Sequence, residues 1–246
     1  MKNIVALQTA RSGSKSVPKK NLLEVDMHPL FAHSILAATS CELISSVWCS
    51  TDDDVIKSYS NFYNFKVIDR PVELSGDTDS HLEVIRHGVL EIEKQIGLQD
   101  IVVMLWGNVV GINGDNLSEA ISMLEDYDSV VSVSKFNMFN PFRAMQIQND
   151  ELVTFVPQQE IINDIPTNMI SDWPADKNSA GNIYYCNGNF WISKRNVIFQ
   201  NDNNLPFQWL GKRIRPYVQD VFLELDAPWQ KQYVQSSAKY NKMRIE

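Results

Sequence analysis

The chain runs to 246 residues, 44% of them apolar and 21% charged, with a formal net charge of −8. That composition suits a globular protein with a sizeable core and excludes a disordered or fibrous chain. It also argues against a general nucleic-acid surface, although an acidic protein can hold a local basic pocket.

Ile4 to Leu7 is a short apolar run with a β-branched start, which predicts a buried strand. It empties into a loop over Ala10 to Asn21 that holds four cationic side chains, one glycine, three serines and no acid. Small residues let backbone N–H groups turn toward a ligand, and arginine and lysine neutralise phosphate oxygens. A triphosphate fits such a loop, and so does bulk water around a basic turn after an edge strand. The pattern is neither GxxxxGK[ST] nor GxGxxG.

Pro29 opens a helix predicted over Leu30 to Ala38. Ser45 to Ser50 reads as a second strand, delivering Thr51-Asp52-Asp53-Asp54 and a helix over Asp53 to Phe62. Acids at a helix start serve as cap and first turn; metal binding is the sharper alternative. Lys66 to Ile68 is a third strand, followed by Asp69-Arg70-Pro71 and a helix over His81 to Ile96. Leu82, Ile85, Val89 and Ile92 form its apolar stripe. Ser80 is placed to cap it, and His81 and His87 read as solvated helix residues rather than general bases.

Ile101 to Leu105 is continuously apolar, as a strand covered on both faces should be. The following Trp106 to Gly114 contains three glycines and lies at a strand's carboxyl end, where open sheets bind ligands. Asn116 to Glu125 repeats the helix pattern and Ser129 to Ser134 is a strand. Alternating strands and helices predict an α/β fold with a mainly parallel sheet and right-handed crossovers.

Beyond Lys135 the texture changes to aromatics, methionines and amides. A short antiparallel strand is expected over Leu152 to Phe155, and 157–177 has little periodicity. Such an excursion can form a dimer interface or line a ligand cleft. Asn182 to Cys186 and Asn189 to Ile192 read as two strands around an Asn187-Gly188 turn. Near the end, Glu224 and Asp226 are two apart, so an extended backbone points both to one face and Leu225 to the other. They fit either Mg²⁺, which prefers hard oxygen ligands, or an acidic strand end before a terminal helix over Trp229 to Lys239. The three cysteines, Cys41, Cys49 and Cys186, form no CxxC pair, and the four histidines outline no zinc site. No apolar run reaches the ~18 residues of a membrane span. The expectation is a cytoplasmic protein with no nucleic-acid or membrane partner.

The positions Ala10, Arg11, Gly13, Ser14, Lys15, Pro18, Lys20 and Asn21 resemble the signature of the acylneuraminate cytidylyltransferases, which make CMP-activated sialic and other nonulosonic acids. Ser16 stands where glycine is usual. The resemblance implies a Rossmann-like nucleotidyltransferase sandwich with a mainly parallel central sheet. It implies a single cytidylyltransferase-like α/β domain over 1–246, with an inserted dimerisation and substrate arm at 136–178, and a homodimer. It further implies transfer of CMP from CTP to a nonulosonic acid, with Mg²⁺ at Asp226 and Glu224. Arg11, Lys15 and Lys20 would neutralise the β- and γ-phosphates and, with Asp226, form the catalytic set. Gly13, Ser14 and Asn21 would complete the triphosphate cradle, and Arg70, Thr78 and Ser80 would join the nucleotide pocket.

Departures bear on the acceptor. Where many relatives read Leu-Gln-Pro-Thr-Ser-Pro-Leu-Arg, this chain keeps Leu105 but has Trp106, Gly107 and Asn108. Trp106 and Asn108 either report an altered acceptor or are a packed aromatic and a turn residue. Relatives carry an arginine in the arm near the position of Asn163 to Pro166, a natural partner for a carboxylate. It is missing here, with Arg143 and Lys177 as substitutes. Asn187 can bind sugar or stabilise a turn. A different acidic or phosphorylated acceptor, and a non-catalytic nucleotide-binding homologue, remain open alternatives.

Overall fold

Strand β1 (Ile4–Thr9) sits between two parallel neighbours, β4 (Ser46–Thr51) and β6 (Ile101–Trp106). Val5, Ala6, Leu7, Val102 and Val103 have no exposed surface, which is why the Ile4 to Leu7 part of β1 and the Ile101 to Leu105 part of β6 read as unbroken apolar runs. In this computed structural model, which describes residues 2–76, 79–156, 181–201, 206–220 and 223–242, the main sheet has the order β12-β8-β11-β6-β1-β4-β5. Here β5 is Lys66–Asp69, β8 Ser129–Lys135, β11 Tyr184–Lys194 and β12 Ile214–Val218. β5 runs parallel to β4, and β11 antiparallel to β6.

Helices α4 (His81–Ile96) and α5 (Gly114–Ser122) have the apolar faces their spacing predicts, while α1 (Leu30–Thr39) is buried over most of its circumference. The expected helix over Asp53 to Phe62 divides into α2 (Asp54–Ser58) and α3 (Ser60–Tyr63). The division falls at Tyr59, whose ring packs with Phe31 and Tyr63. The Asn187-Gly188 turn is absent, because β11 runs through it as one strand. The Ser132 hydroxyl accepts from the Phe190 N–H at 3.1 Å and donates to its carbonyl at 2.8 Å. The Asn187 side chain accepts from the Asn189 N–H at 3.2 Å, so both residues serve the strand.

The described residues form two compact units: Met1–Ser132, Asn187–Tyr217 and Val221–Glu246 make the first, and Val133–Cys186 with Val218–Asp220 the second. The second holds an antiparallel hairpin of β9 (Met145–Gln148) and β10 (Glu151–Thr154). The expected arm at 136–178 falls within this unit's range, but residues 157–178 lie outside the described residues. Among the described residues no helix is long and apolar enough to cross a membrane.

One polar chain crosses the first unit's core. Gln8 is fully buried on β1; its Nε2 donates to the Phe31 carbonyl at 2.6 Å and to Ser34 Oγ at 2.7 Å. Cys49 Sγ donates to Gln8 Oε1 at 3.1 Å, and Ser34 Oγ donates to the Trp106 carbonyl at 2.9 Å. Buried polar groups are tolerable when paired in this way. Gln8→Ala should lower stability by roughly 2–4 kcal/mol, through lost volume and stranded polar partners. The shift in urea midpoint between otherwise native-like proteins measures it.

Candidate active site

The basic loop is held to the sheet by the acid run after β4. Ser12 donates to Asp52 through its backbone N–H at 2.8 Å and its hydroxyl at 2.6 Å. Partial burial works against ionisation of Asp52, but the Ser12 bonds outweigh it and hold the carboxyl below its usual range. Asp53 caps α2 through the Val55 and Ile56 N–H groups, at 2.9 and 3.3 Å. The acids are therefore a staple and a cap.

At its far end the loop turns through Lys20–Leu22, where Asn21 is buried and its Nδ2 donates to the Arg11 carbonyl at 2.9 Å. The strand end after β6 passes very near: a Cβ on Gly107 would lie 2.8 Å from Ala10 Cβ and 3.3 Å from Asn21 Oδ1. Only glycine admits that approach. Arg70, 8% exposed, donates from Nε to Ser50 Oγ at 3.2 Å and from Nη2 to the Ser50 carbonyl at 2.6 Å. Among the described residues its Nη1 has no hydrogen-bond partner.

The acidic pair arrives by a second pairing. β7 (Val109–Val110) lies antiparallel to β13 (Leu223–Glu224), and the Leu225 N–H donates to the Asn108 carbonyl at 2.9 Å. Leu225 is fully buried, while Glu224 and Asp226 share the other face, as the two-residue spacing predicts. Asn108 Nδ2 donates to Glu224 Oε1 at 3.2 Å and to Asp226 Oδ1 at 3.0 Å. Lys20 Nζ lies 2.7 Å from Asp226 Oδ1. Burial, then the neighbouring Asp226 charge, push Glu224 up to about 7. Burial of Asp226 acts upward too, but Lys20 outweighs it and keeps that carboxyl low.

These groups line one cavity of about 280 Å³ in the first unit. Arg11, Lys20, Asn21, Arg70, Trp106, Asn108, Glu224 and Asp226 all stand on its wall. Gly13, Ser14 and Lys15 lie along the loop outside that wall, and Ser80 sits at the α4 N-cap without a side-chain capping bond. Asn187 is buried within β11, and Arg143 is an exposed residue of the second unit. Thr78 and Lys177 fall outside the described residues.

The wall also contains residues that pattern reading passed over. His81 lines the cavity, and the Trp106 indole N–H donates to its Nε2 at 3.1 Å. The imidazole stacks on Trp209 with centroids 5.8 Å apart, and Trp106 meets Trp191 edge-on at 4.8 Å. The ring opens to the cavity but is crowded by protein, which with the Arg70 charge pushes its pKa down to about 4. Its partner is 25 residues away, so no local motif reveals it.

The Cytidylyltransferase family model matches residues 5–233. The chain belongs to this family. N-acylneuraminate cytidylyltransferase A of Danio rerio is 29% identical over 202 residues, covering 81% of this chain and 43% of that protein. Post-translational flagellin modification protein B of Campylobacter coli is 26% identical, with 82% of each chain covered. The chain spans about half the length of the Danio rerio and Oncorhynchus mykiss relatives it matches. In the solved structure of CMP:2-keto-3-deoxy-manno-octonic acid synthetase complexed with CTP, 99% of the chain aligns with 97% of this one, at 16% identity and a TM-score of 0.65. The fold is thus the nucleotidyltransferase sandwich, as the sequence resemblance implied.

The raised Glu224 pKa carries a sign. The folded protein keeps a proton there that the unfolded chain has lost, so Glu224 erodes stability as pH rises from about 4.5 to about 7. Glu224→Gln should therefore gain stability relative to the parent across that interval and hold the gain above it. Paired urea titrations at pH values on either side of the interval measure the change.

Proposed function

We propose that the chain transfers CMP from CTP to a nonulosonic, sialic-acid-like sugar acid and releases pyrophosphate. The observation that carries the reading is the opposition, within one cavity, of Arg11, Lys20 and Arg70 to Glu224 and Asp226. The acylneuraminate signature in the basic loop supports it. A sugar hydroxyl oxygen would attack the α-phosphorus and release its proton to solvent; the new O–P bond forms as the bond to the β-phosphate oxygen breaks, and pyrophosphate departs with its electron pair. Arg11 and Lys20 would neutralise the triphosphate and the leaving pyrophosphate, with Lys15 reaching in from the loop. Asn21 would orient the nucleotide, and the Arg70 Nη1 supplies a donor for it. Catalysis of this kind is mostly alignment and charge stabilisation.

Glu224 and Asp226 suit Mg²⁺, which binds through one or two carboxylates and fills its shell from phosphate and water. The fit has a structural mark: a Cβ on Gly188 would stand 3.1 Å from Glu224 Oε1, so glycine keeps room for that carboxylate. Bound there, the ion would offset phosphate charge. Asn108 would hold both carboxylates in register through its single amide nitrogen.

CTP as donor fits a cytoplasmic enzyme, and a homodimer fits the second unit, where Met138, Phe139, Ile147, Leu152 and Phe155 are all at least 60% exposed. Patches of that kind mark association surfaces. The Trp106–His81 contact favours a second reading of the acceptor: a different acidic or phosphorylated molecule, since an aromatic replaces the glutamine of many relatives.

Incubation with CTP, Mg²⁺ and a panel of nonulosonic acids should release pyrophosphate in an acceptor-dependent manner. Asp226→Asn should cut turnover on the order of 10²-fold or more while the fold survives. Failure of CTP both to bind and to react across the panel would refute the reading. For the dimer, a double Ile147→Glu, Leu152→Glu variant should sediment as a monomer where the parent sediments as a dimer.

A further inference from the structure

Trp106 has a donor and no acceptor on its side chain, so its bond to His81 Nε2 dictates where the imidazole carries its proton. The proton must be on Nδ1. Among the described residues nothing accepts from that nitrogen, and the ring lines the cavity. Stacking against Trp209, and the packing of Trp106 on Trp191, fix the planes of both rings. The result is a flat aromatic wall with one neutral N–H donor at its edge, near the Arg70 guanidinium but without charge of its own.

We propose that His81 and Trp106 form a specificity-determining pair, in which Trp106 sets the His81 tautomer and the His81 Nδ1–H recognises a neutral carbonyl oxygen beside a flat or apolar face of the ligand. This rests on the cytidylyltransferase reading, because it gives that cavity a ligand preference. A neutral donor pairs well with a carbonyl and contributes little to a second carboxylate or phosphate, for which charged partners are far stronger. Two parts of the reacting pair offer such a carbonyl: the pyrimidine ring of the nucleotide and an acylamido group on the sugar. A donor left unpaired by a ligand lacking the carbonyl would discriminate against that ligand.

The test begins with the unaltered protein. Long-range proton–nitrogen NMR of its histidines at neutral pH should show a pyrrole-type Nδ1 and a pyridine-type Nε2 for His81. Trp106→Phe should erase that bias. A pyrrole-type Nε2 in the parent overturns the proposal without any variant having to fold. Calorimetry then compares the parent with His81→Phe, which keeps a flat ring and loses the donor. The probes are CTP, N-acetylneuraminate, and the analogue in which a hydroxyl replaces the acetamido group. Weakening of CTP by about fivefold or more supports the nucleobase as source. Unchanged CTP binding with loss of the preference for N-acetylneuraminate over its analogue supports the acylamido source. Unchanged affinities for all three overturn the His81 assignment alone. A parent that binds none of the three overturns the cytidylyltransferase reading and this ligand assignment together.

Discussion

Two strand ends have to touch for this site to exist. The loop leaving β1 and the loop leaving β6 come from adjacent parallel strands, and they meet where Gly107 passes Ala10 and Asn21. The Gly107 N–H donates to the Thr9 carbonyl at 3.3 Å, which carries the parallel pairing one step past the sheet. Arg11 and Lys20 follow from one side of that contact, Trp106 and Asn108 from the other. A side chain at 107 would part them, and the cations would lose their position relative to the carboxylates. The parallel sheet therefore supplies direction, and one missing Cβ supplies proximity.

Charge is distributed across the cavity with the same economy. The cations lie on the loop and on Arg70, and the carboxylates on a segment more than two hundred positions after Lys20. Their junction is the Lys20–Asp226 pair, flanked by the Asn108 amide. Two carboxylates so close would repel one another if both were ionised in a partly buried site. Lys20 stabilises one of them, and the other holds its proton more tightly than an ordinary carboxyl does. On the proposed function, a triphosphate would meet the cations and a divalent ion the carboxylates, so each partner would find the opposite charge across the cavity.

Local sequence is legible where one stretch decides the outcome. The periodicity of 81–96 marks α4 to the residue, and apolar runs mark β1 and β6. The Glu224 to Asp226 spacing gives one shared face because strand geometry alone requires it. Where distant partners decide, local reading falls short. An Asn-Gly pair ordinarily turns the chain, but Ser132 bonds Phe190 across strands and holds β11 straight through Asn187-Gly188. His81 is exposed at a helix start, as its local sequence implies, but nothing near it in sequence announces Trp106. Asn108 stands on the cavity wall as a candidate acceptor contact would, but its tie to Glu224 spans 116 positions and no local pattern announces it.

The chain of buried bonds from Cys49 through Gln8 and Ser34 ends on the main-chain carbonyl of Trp106, not on its indole. A carbonyl is common to every amino acid. The core thus anchors the backbone at position 106 while remaining indifferent to which side chain it presents to the cavity. A glutamine at this place, as in the family pattern this chain resembles, and the tryptophan found here can therefore sit on one scaffold. On the proposed function, acceptor preference would then be a separable trait, since a substitution at this one cavity position would change what a ligand meets without renegotiating the fold beneath it.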